Sequence, residues 1–134
     1  MELNKIGWLE RFTVGHKGID TQHKLLITLY NILIDASRED EITTTLLEET
    51  VCQLVDYTKY HFTYEENLFS KYNYPDSESH IKEHMSFINK VTDLQNVKTK
   101  DLYYELIEFL NHWIINHVTV CDKKYSNFFQ NNEV

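Results

Sequence analysis

Two pairs of side chains suited to metal chemistry, His61 with Glu65 and His80 with His84, are each spaced four residues apart. On a helix that spacing stacks both side chains on one face, one turn apart, so a single helix offers two donors to one metal centre. Between the pairs lies Asn73-Tyr74-Pro75-Asp76-Ser77. Pro75 cannot continue a helix, and Asp76 or Ser77 can cap the next one. The stretch from His61 to His84 thus predicts helix, tight turn and antiparallel helix, with both pairs near the shared end. That describes half of a metal site inside a bundle.

The rest of the chain supplies the helices such a site needs. From Asp20, read as an N-cap, to Ser37, apolar positions recur as Ile19, Leu26, Tyr30 and Leu33, and His23 fills the missing place in the stripe. The polar run Arg38-Glu39-Asp40-Glu41 reads as a connection. A long second helix follows with Leu47, Val51, Leu54, Thr58, His61, Glu65, Leu68 and Tyr72 at the steps of three and four expected of a bundle. Glu65 on that apolar face must be protonated, ion-paired or metal-bound, because an ionised, unpaired carboxylate there costs roughly several kcal/mol. The third helix, about Ser77 to Leu94, presents His80, His84, Phe87, Val91 and Leu94. After a polar turn from Gln95 to Lys100, the fourth carries Leu102, Leu106, Phe109, Leu110, Trp113, His117, Val120 and Phe128.

Residues 1–18 mix Trp8, Phe12 and Val14 with Gly7, Gly15 and Gly18 and read as an irregular arm laid over the bundle by its aromatics. The expected fold is all-α: one domain over residues 1–134, with an antiparallel up-down-up-down four-helix bundle at 19–130 behind the N-terminal arm. One proline and three glycines leave little material for sheet turns.

In that topology His23 and His80 lie near the starts of helices one and three, while His61, Glu65 and His117 lie toward the ends of helices two and four. All therefore fall at the same end of the bundle, which predicts one shared site. Imidazoles and carboxylates without a thiolate pair suit iron, copper, zinc or manganese better than magnesium or calcium. The ligand set is too large for one ion and points to two metals bridged by carboxylates. His16 and His112 fit no ligand position and read as hydrogen-bonded core residues. Glu66 and Glu83, each beside a candidate ligand, read as solvated or as orienting imidazole N–H groups.

The formal charge of −8, with no cluster of Lys or Arg, argues against nucleic acid and anionic membrane as partners. No apolar run is long enough for a signal peptide or a membrane span, and Cys52 and Cys121 make no disulfide framework, so a cytoplasmic location is expected. The nucleotide-binding, redox and hydrolase signatures GxGxxG, GxxxxGK[ST], CxxC and GxSxG are absent.

Four groups of residues carry a resemblance to a known family. They are Ile19-Asp20-x-Gln22-His23-Lys24, His61-Phe62-x-x-Glu65-Glu66, Tyr74-Pro75 followed by His80-x-x-Glu83-His84-x-x-Phe87, and Trp113-x-x-x-His117-x-x-x-x-Asp122-x-x-Tyr125. In these the chain resembles the hemerythrins, in particular the single-domain bacterial ones, along nearly its whole length. The resemblance implies a non-haem di-iron site that binds dioxygen reversibly for transport, storage or delivery, and not an enzyme. By similarity His80, His84 and His117 ligate one iron and His23 and His61 the other. Glu65 and Asp122 bridge both, with a solvent-derived oxo or hydroxo group. Three imidazoles and three bridging oxygens fill a six-coordinate iron, whereas two imidazoles and three oxygens leave one position for dioxygen.

Phe62, Trp113, Ile114 and Val118 are the expected walls of an apolar pocket. The competing readings are an oxygen sensor acting through a protein partner, a di-iron oxidase or a protein that handles peroxide or nitric oxide, and a structural bundle that holds zinc or iron. The imidazole-rich shell favours binding over oxidation.

Periodicity and resemblance disagree at one position. Asp122 follows His117 by five residues, about 140° round an ideal helix, whereas Cys121 at four residues is only about 40° away. Spacing alone selects Cys121. The family pattern selects Asp122, which requires a local irregularity such as a π-bulge.

Overall fold

The computed structural model describes residues 4–38, 44–95 and 100–132 of the chain. Its helices are α1 (Lys17–Ser37), α2 (Thr44–Tyr72), α3 (Ser77–Gln95), α4 (Lys100–Asn116) and α5 (Lys123–Asn131), with a short 3-10 turn at Glu10–Phe12 and a π-helical turn at His117–Cys121. α1 packs on α2 and α4, and α3 packs on the same two helices, which closes a four-helix bundle in which α5 continues the fourth rod. Among the described residues there is no strand. The expected connection at Glu39, Asp40 and Glu41, the turn at 96–99 and the side chain of Leu102 lie outside the described residues.

The apolar stripes do become the core. Leu26, Tyr30, Leu33 and Ile34 of α1 meet Leu47, Val51 and Leu54 of α2, Phe87 and Val91 of α3, and Leu106 and Leu110 of α4 in one buried cluster. Each fully buried Leu, Ile, Val or Phe contributes about 1.5–3 kcal/mol relative to exposure. The core fills the bundle away from the site, so the helices are clamped along their length and deliver polar side chains at one end.

The α2–α3 turn forms as expected. Asn73 adopts φ 54°, the left-handed conformation that Asn tolerates better than branched residues, and ends α2 with the Tyr74 N–H donating to the Phe69 carbonyl at 2.9 Å. The Asp76 carbonyl then accepts from the His80 N–H at 3.1 Å, opening α3.

Three expectations change. First, α1 begins at Lys17, before Asp20, and its N-cap is His16, whose Nδ1 accepts from the Ile19 N–H at 3.2 Å. Asp20 has another partner: Oδ1 accepts from the Val14 N–H at 2.7 Å, so this carboxylate fastens the arm instead of starting the helix. Gly18 belongs to α1 and not to the arm, and a Cβ there would collide with the Tyr64 hydroxyl, so a larger residue would have to displace the Tyr64 side chain of α2.

Second, in α2 the buried position after Glu65 is Phe69, while Leu68 and Tyr72 are only half-buried. A helix of 3.6 residues per turn drifts off a strict three-four step over this length.

Third, the fourth rod is not one regular helix. The π turn inserts a residue, and every later position is rotated by about 100°. Val120, expected inside, is 53% exposed, and Phe128 is half-buried, while Val118, Tyr125 and Phe129 are buried. The wide turn anticipated from the His117–Asp122 spacing is present at that place.

Candidate metal centre

Each rod brings its polar residues to one level: His23 from α1, His61 and Glu65 from α2, His80 and His84 from α3, His117 from the π turn and Asp122 just after it. All seven are buried, and Glu65, Asp122, His23 and His84 have no exposed surface. Asp122 reaches inward because the π turn closes with its N–H donating to the His117 carbonyl at 2.8 Å, a five-residue step.

The two carboxylates span the imidazoles. Asp122 Oδ1 lies 3.0 Å from both His80 Nε2 and His117 Nε2, and its Oδ2 lies 3.0 Å from His23 Nε2. Glu65 Oε1 lies 3.1 Å from His61 Nε2 and 3.4 Å from His84 Nε2, and its Oε2 is 3.9 Å from His80 Nε2. The ligand-type atoms thus fall into two groups, Glu65 with His80, His84 and His117, and Glu65 and Asp122 with His23 and His61, each within a 4.8 Å span.

The inner atoms lack partners. Among the described residues, the buried side-chain nitrogens and oxygens with no hydrogen bond are Nε2 of His23, His61, His80 and His84, both ring nitrogens of His117, Oε1 of Glu65 and both oxygens of Asp122. Every one belongs to the seven residues just named. A polar atom buried without a partner costs about 1–3 kcal/mol, more when charged, so the convergence of all of them but His117 Nδ1 on one centre fits a bound cation as the missing partner.

Three of the outer ring nitrogens are, by contrast, engaged. His23 Nδ1 lies 3.3 Å from the Phe12 carbonyl of the arm, His61 Nδ1 is 2.6 Å from Gln22 Oε1, and His84 Nδ1 is 3.1 Å from Glu66 Oε2. With the proton held on Nδ1, each ring points an Nε2 lone pair at the centre. The Tyr125 hydroxyl donates to Glu65 Oε2 in a short hydrogen bond. Burial, the charges of Asp122 and Glu65 and that bond raise the Tyr125 pKa well above its ordinary value, so it remains a donor.

Without a cation, protons do part of the neutralising. Burial pushes the His117 pKa down, but the adjacent Asp122 carboxylate outweighs it and raises it to about 10. His23 is raised in the same way, against burial, chiefly by the adjacent Asp122 carboxylate. Burial and the neighbouring Asp122 oppose ionisation of Glu65, yet the charge of His61 and the close approach of the His61 and His84 rings hold it well below the carboxylate range. Asp122 is likewise held low against burial, first by His117 and then by the close approach of the His23 and His80 rings.

Aromatic rings wall the cluster. Phe62 stacks on His84 with centroids 3.8 Å apart, Trp113 stacks on His117 at 4.2 Å, and Phe62 meets Trp113 edge-on at 5.3 Å. Ile114 and Val118 are buried in the adjoining core. On the outer side, two surface clefts border His80 and His117 and share Glu83 and Cys121 as lining residues.

The bland readings divide. His16 is hydrogen-bonded as a helix cap but only half-buried, and His112 is exposed, so neither is a core residue. Glu66 orients a ring nitrogen, and Glu83 is exposed. Residue type did not reveal the acceptor and donor roles of Gln22, Tyr125 and the Phe12 carbonyl. The first two stand in the motifs quoted above, and the third is a backbone atom with no sequence signal.

The profile of the hemerythrin HHE cation binding domain matches residues 14–128. A hemerythrin-like protein of Naegleria gruberi is 36% identical over 118 residues, which cover 88% of each chain. A bacteriohemerythrin of Pseudomonas aeruginosa (strain UCBPP-PA14) is 33% identical over 120 residues, covering 88% of this chain and 77% of its own. A bacteriohemerythrin of Clostridium acetobutylicum is 28% identical over 127 residues, covering 88% and 96%.

Proposed function

This chain belongs to the hemerythrin family, and from that membership we propose that it is a non-haem di-iron protein that binds dioxygen reversibly for transport, storage or delivery. The observation that carries the reading is the convergence of unpartnered buried nitrogens and oxygens from all four rods. In this reading His80, His84 and His117 would hold one iron and His23 and His61 the other, with Glu65 and Asp122 shared. A pair of ferrous ions, with an oxo or hydroxo bridge from solvent, would supply the electrons that reversible dioxygen binding needs.

The chain's own part is orientation, charge balance and exclusion of water. Phe12, Gln22 and Glu66 fix three imidazole tautomers, and Tyr125 restrains one oxygen of Glu65. Two carboxylates offset part of the charge of two cations in a site that water barely reaches. Phe62, Trp113, Ile114 and Val118 keep the surroundings apolar, which limits the access of protons and water that would promote irreversible oxidation of such a centre by oxygen. With the imidazoles and the two carboxylates taken up in holding the irons and Tyr125 kept protonated, the cluster would present no free base or nucleophile to a bound ligand.

Free Cys52 and Cys121 support a reducing, cytoplasmic setting, and no helix among the described residues is long and apolar enough to cross a membrane. Dioxygen is the proposed ligand, and a protein that accepts it or responds to it is the proposed further partner. Anaerobic iron titration followed by oxygen uptake tests the reading. Two irons per chain and one dioxygen per iron pair, released again under inert gas, are expected, whereas uptake that inert gas cannot reverse overturns reversible binding.

A further inference from the structure

The buried ring nitrogens without a hydrogen bond are the Nε2 atoms of His23, His61, His80 and His84 and both nitrogens of His117. His117 Nε2 faces Asp122 Oδ1 at 3.0 Å, so Nδ1, across Cε1 from it, is the nitrogen not turned to Asp122. A ring nitrogen of His117, the Cys121 sulfur and a Glu83 carboxylate oxygen lie within 4.8 Å of one another. His117 is 97% buried by its 3% exposure, Cys121 is half-buried and Glu83 is exposed. Cys121 and Glu83 also line both clefts that border the cluster.

An imidazole that gives its Nε2 lone pair to a metal carries its proton on Nδ1, and a buried N–H needs an acceptor. His23, His61 and His84 have a carbonyl, an amide oxygen and a carboxylate for that purpose. We infer that Cys121 is the positioning residue for His117, its sulfur accepting the Nδ1–H when Nε2 holds the metal. This rests on the reading of His117 as a ligand. Cys121 is favoured over Glu83 because the same π turn fixes it four residues from His117, whereas Glu83 reaches from another helix on an exposed, flexible stem. The wide turn therefore has two uses: it brings Asp122 inward and leaves the Cys121 sulfur within 4.8 Å of a ring nitrogen of His117. A sulfur accepts weakly, so His117 would be held less firmly than its neighbours.

The test is cobalt(II) binding under anaerobic conditions to the wild-type chain, Cys121→Ala and Cys121→Ser, followed by competition with a chelator and by the visible cobalt bands. Thermal melts of the metal-free forms run alongside. Loss of a positioning acceptor weakens metal binding by about 10- to 100-fold. Cys121→Ala should therefore lose that much at one of two cobalt ions, with altered bands and an unchanged metal-free melt. Cys121→Ser, which keeps an acceptor, should stay closer to wild type. Equal affinity and spectra in all three proteins overturn the inference, and so does an equal loss in both variants, which would mark packing. A wild-type chain that takes up fewer than two cobalt ions instead overturns the reading of the centre on which the inference depends.

Discussion

The Tyr125 hydroxyl donates to Glu65 Oε2 across 60 residues of sequence, joining α5 to α2 inside the cluster. Both residues are fully buried, and Tyr125 also packs against Phe69, Tyr74 and Phe129. A hydrogen bond to a charged group contributes about 1.5–3 kcal/mol, so Tyr125→Phe should lower the stability of the metal-free protein by about 2 kcal/mol in urea unfolding while keeping the helical signal. An unchanged midpoint would show that Glu65 finds another donor.

The five-residue step from His117 to Asp122 leads to a prediction about length. A π turn is an α-helix with one residue inserted, so removing one residue returns the backbone to a four-residue step without turning Asp122 outward. Val120 is the residue to remove, being 53% exposed. The deletion should keep full helical content and two bound metal ions per chain, whereas Asp122→Ala, at full length, should lose metal. Loss of metal from the Val120 deletion with helicity intact would show that the wide turn itself is required.

Gln22 Oε1 accepts from the ring of His61 at 2.6 Å. Gln22→Leu keeps most of the volume and removes the acceptor, and should weaken metal retention about 10- to 100-fold, read as the chelator concentration that strips half the metal. Retention equal to wild type would mean that packing alone orients His61.

The metal-free protein should have a pH optimum set by opposing shifts. His117, raised to about 10 from 6.5, and His23, also raised, contribute stability present below 6.5 and lost as pH climbs through their folded-state values. Glu65 and Asp122 are depressed from 4.5 and 3.8, so their contribution is present above those values and is lost as pH falls through the lower folded-state ones. All four contributions coincide between 4.5 and 6.5, where melting of the metal-free form should peak. Metal displaces the imidazole protons, so loading near neutral pH should acidify a weakly buffered solution and should weaken as pH falls. A metal-free melt that keeps rising above 6.5 would contradict these assignments.

Much of the fold and most of the cluster can be read from residue spacing. Four stripes at bundle periodicity gave four rods, and short connections set His23, His61, Glu65, His80, His84 and His117 at one end. Asp122 was not legible from period, because an inserted residue is invisible to a fixed 100° step, and the resemblance alone supplied it. The same insertion moved Val120 outward and Phe129 inward. The start of α1 was misplaced because Asp20 looks like a cap, and only the folded arm shows that its carboxylate already serves the Val14 N–H. Local sequence did not specify that contact, nor the Phe12 carbonyl behind His23, since each depends on where the arm crosses the bundle.

The most direct measurement is the visible spectrum of the iron-loaded, anaerobically reduced protein before and after air is admitted, with iron counted per chain. The account predicts two irons per chain and a new visible absorption that appears with air, bleaches under inert gas and returns when air is restored. Absorption that forms once and cannot be reversed, or iron well below two per chain with no response to air, would contradict it.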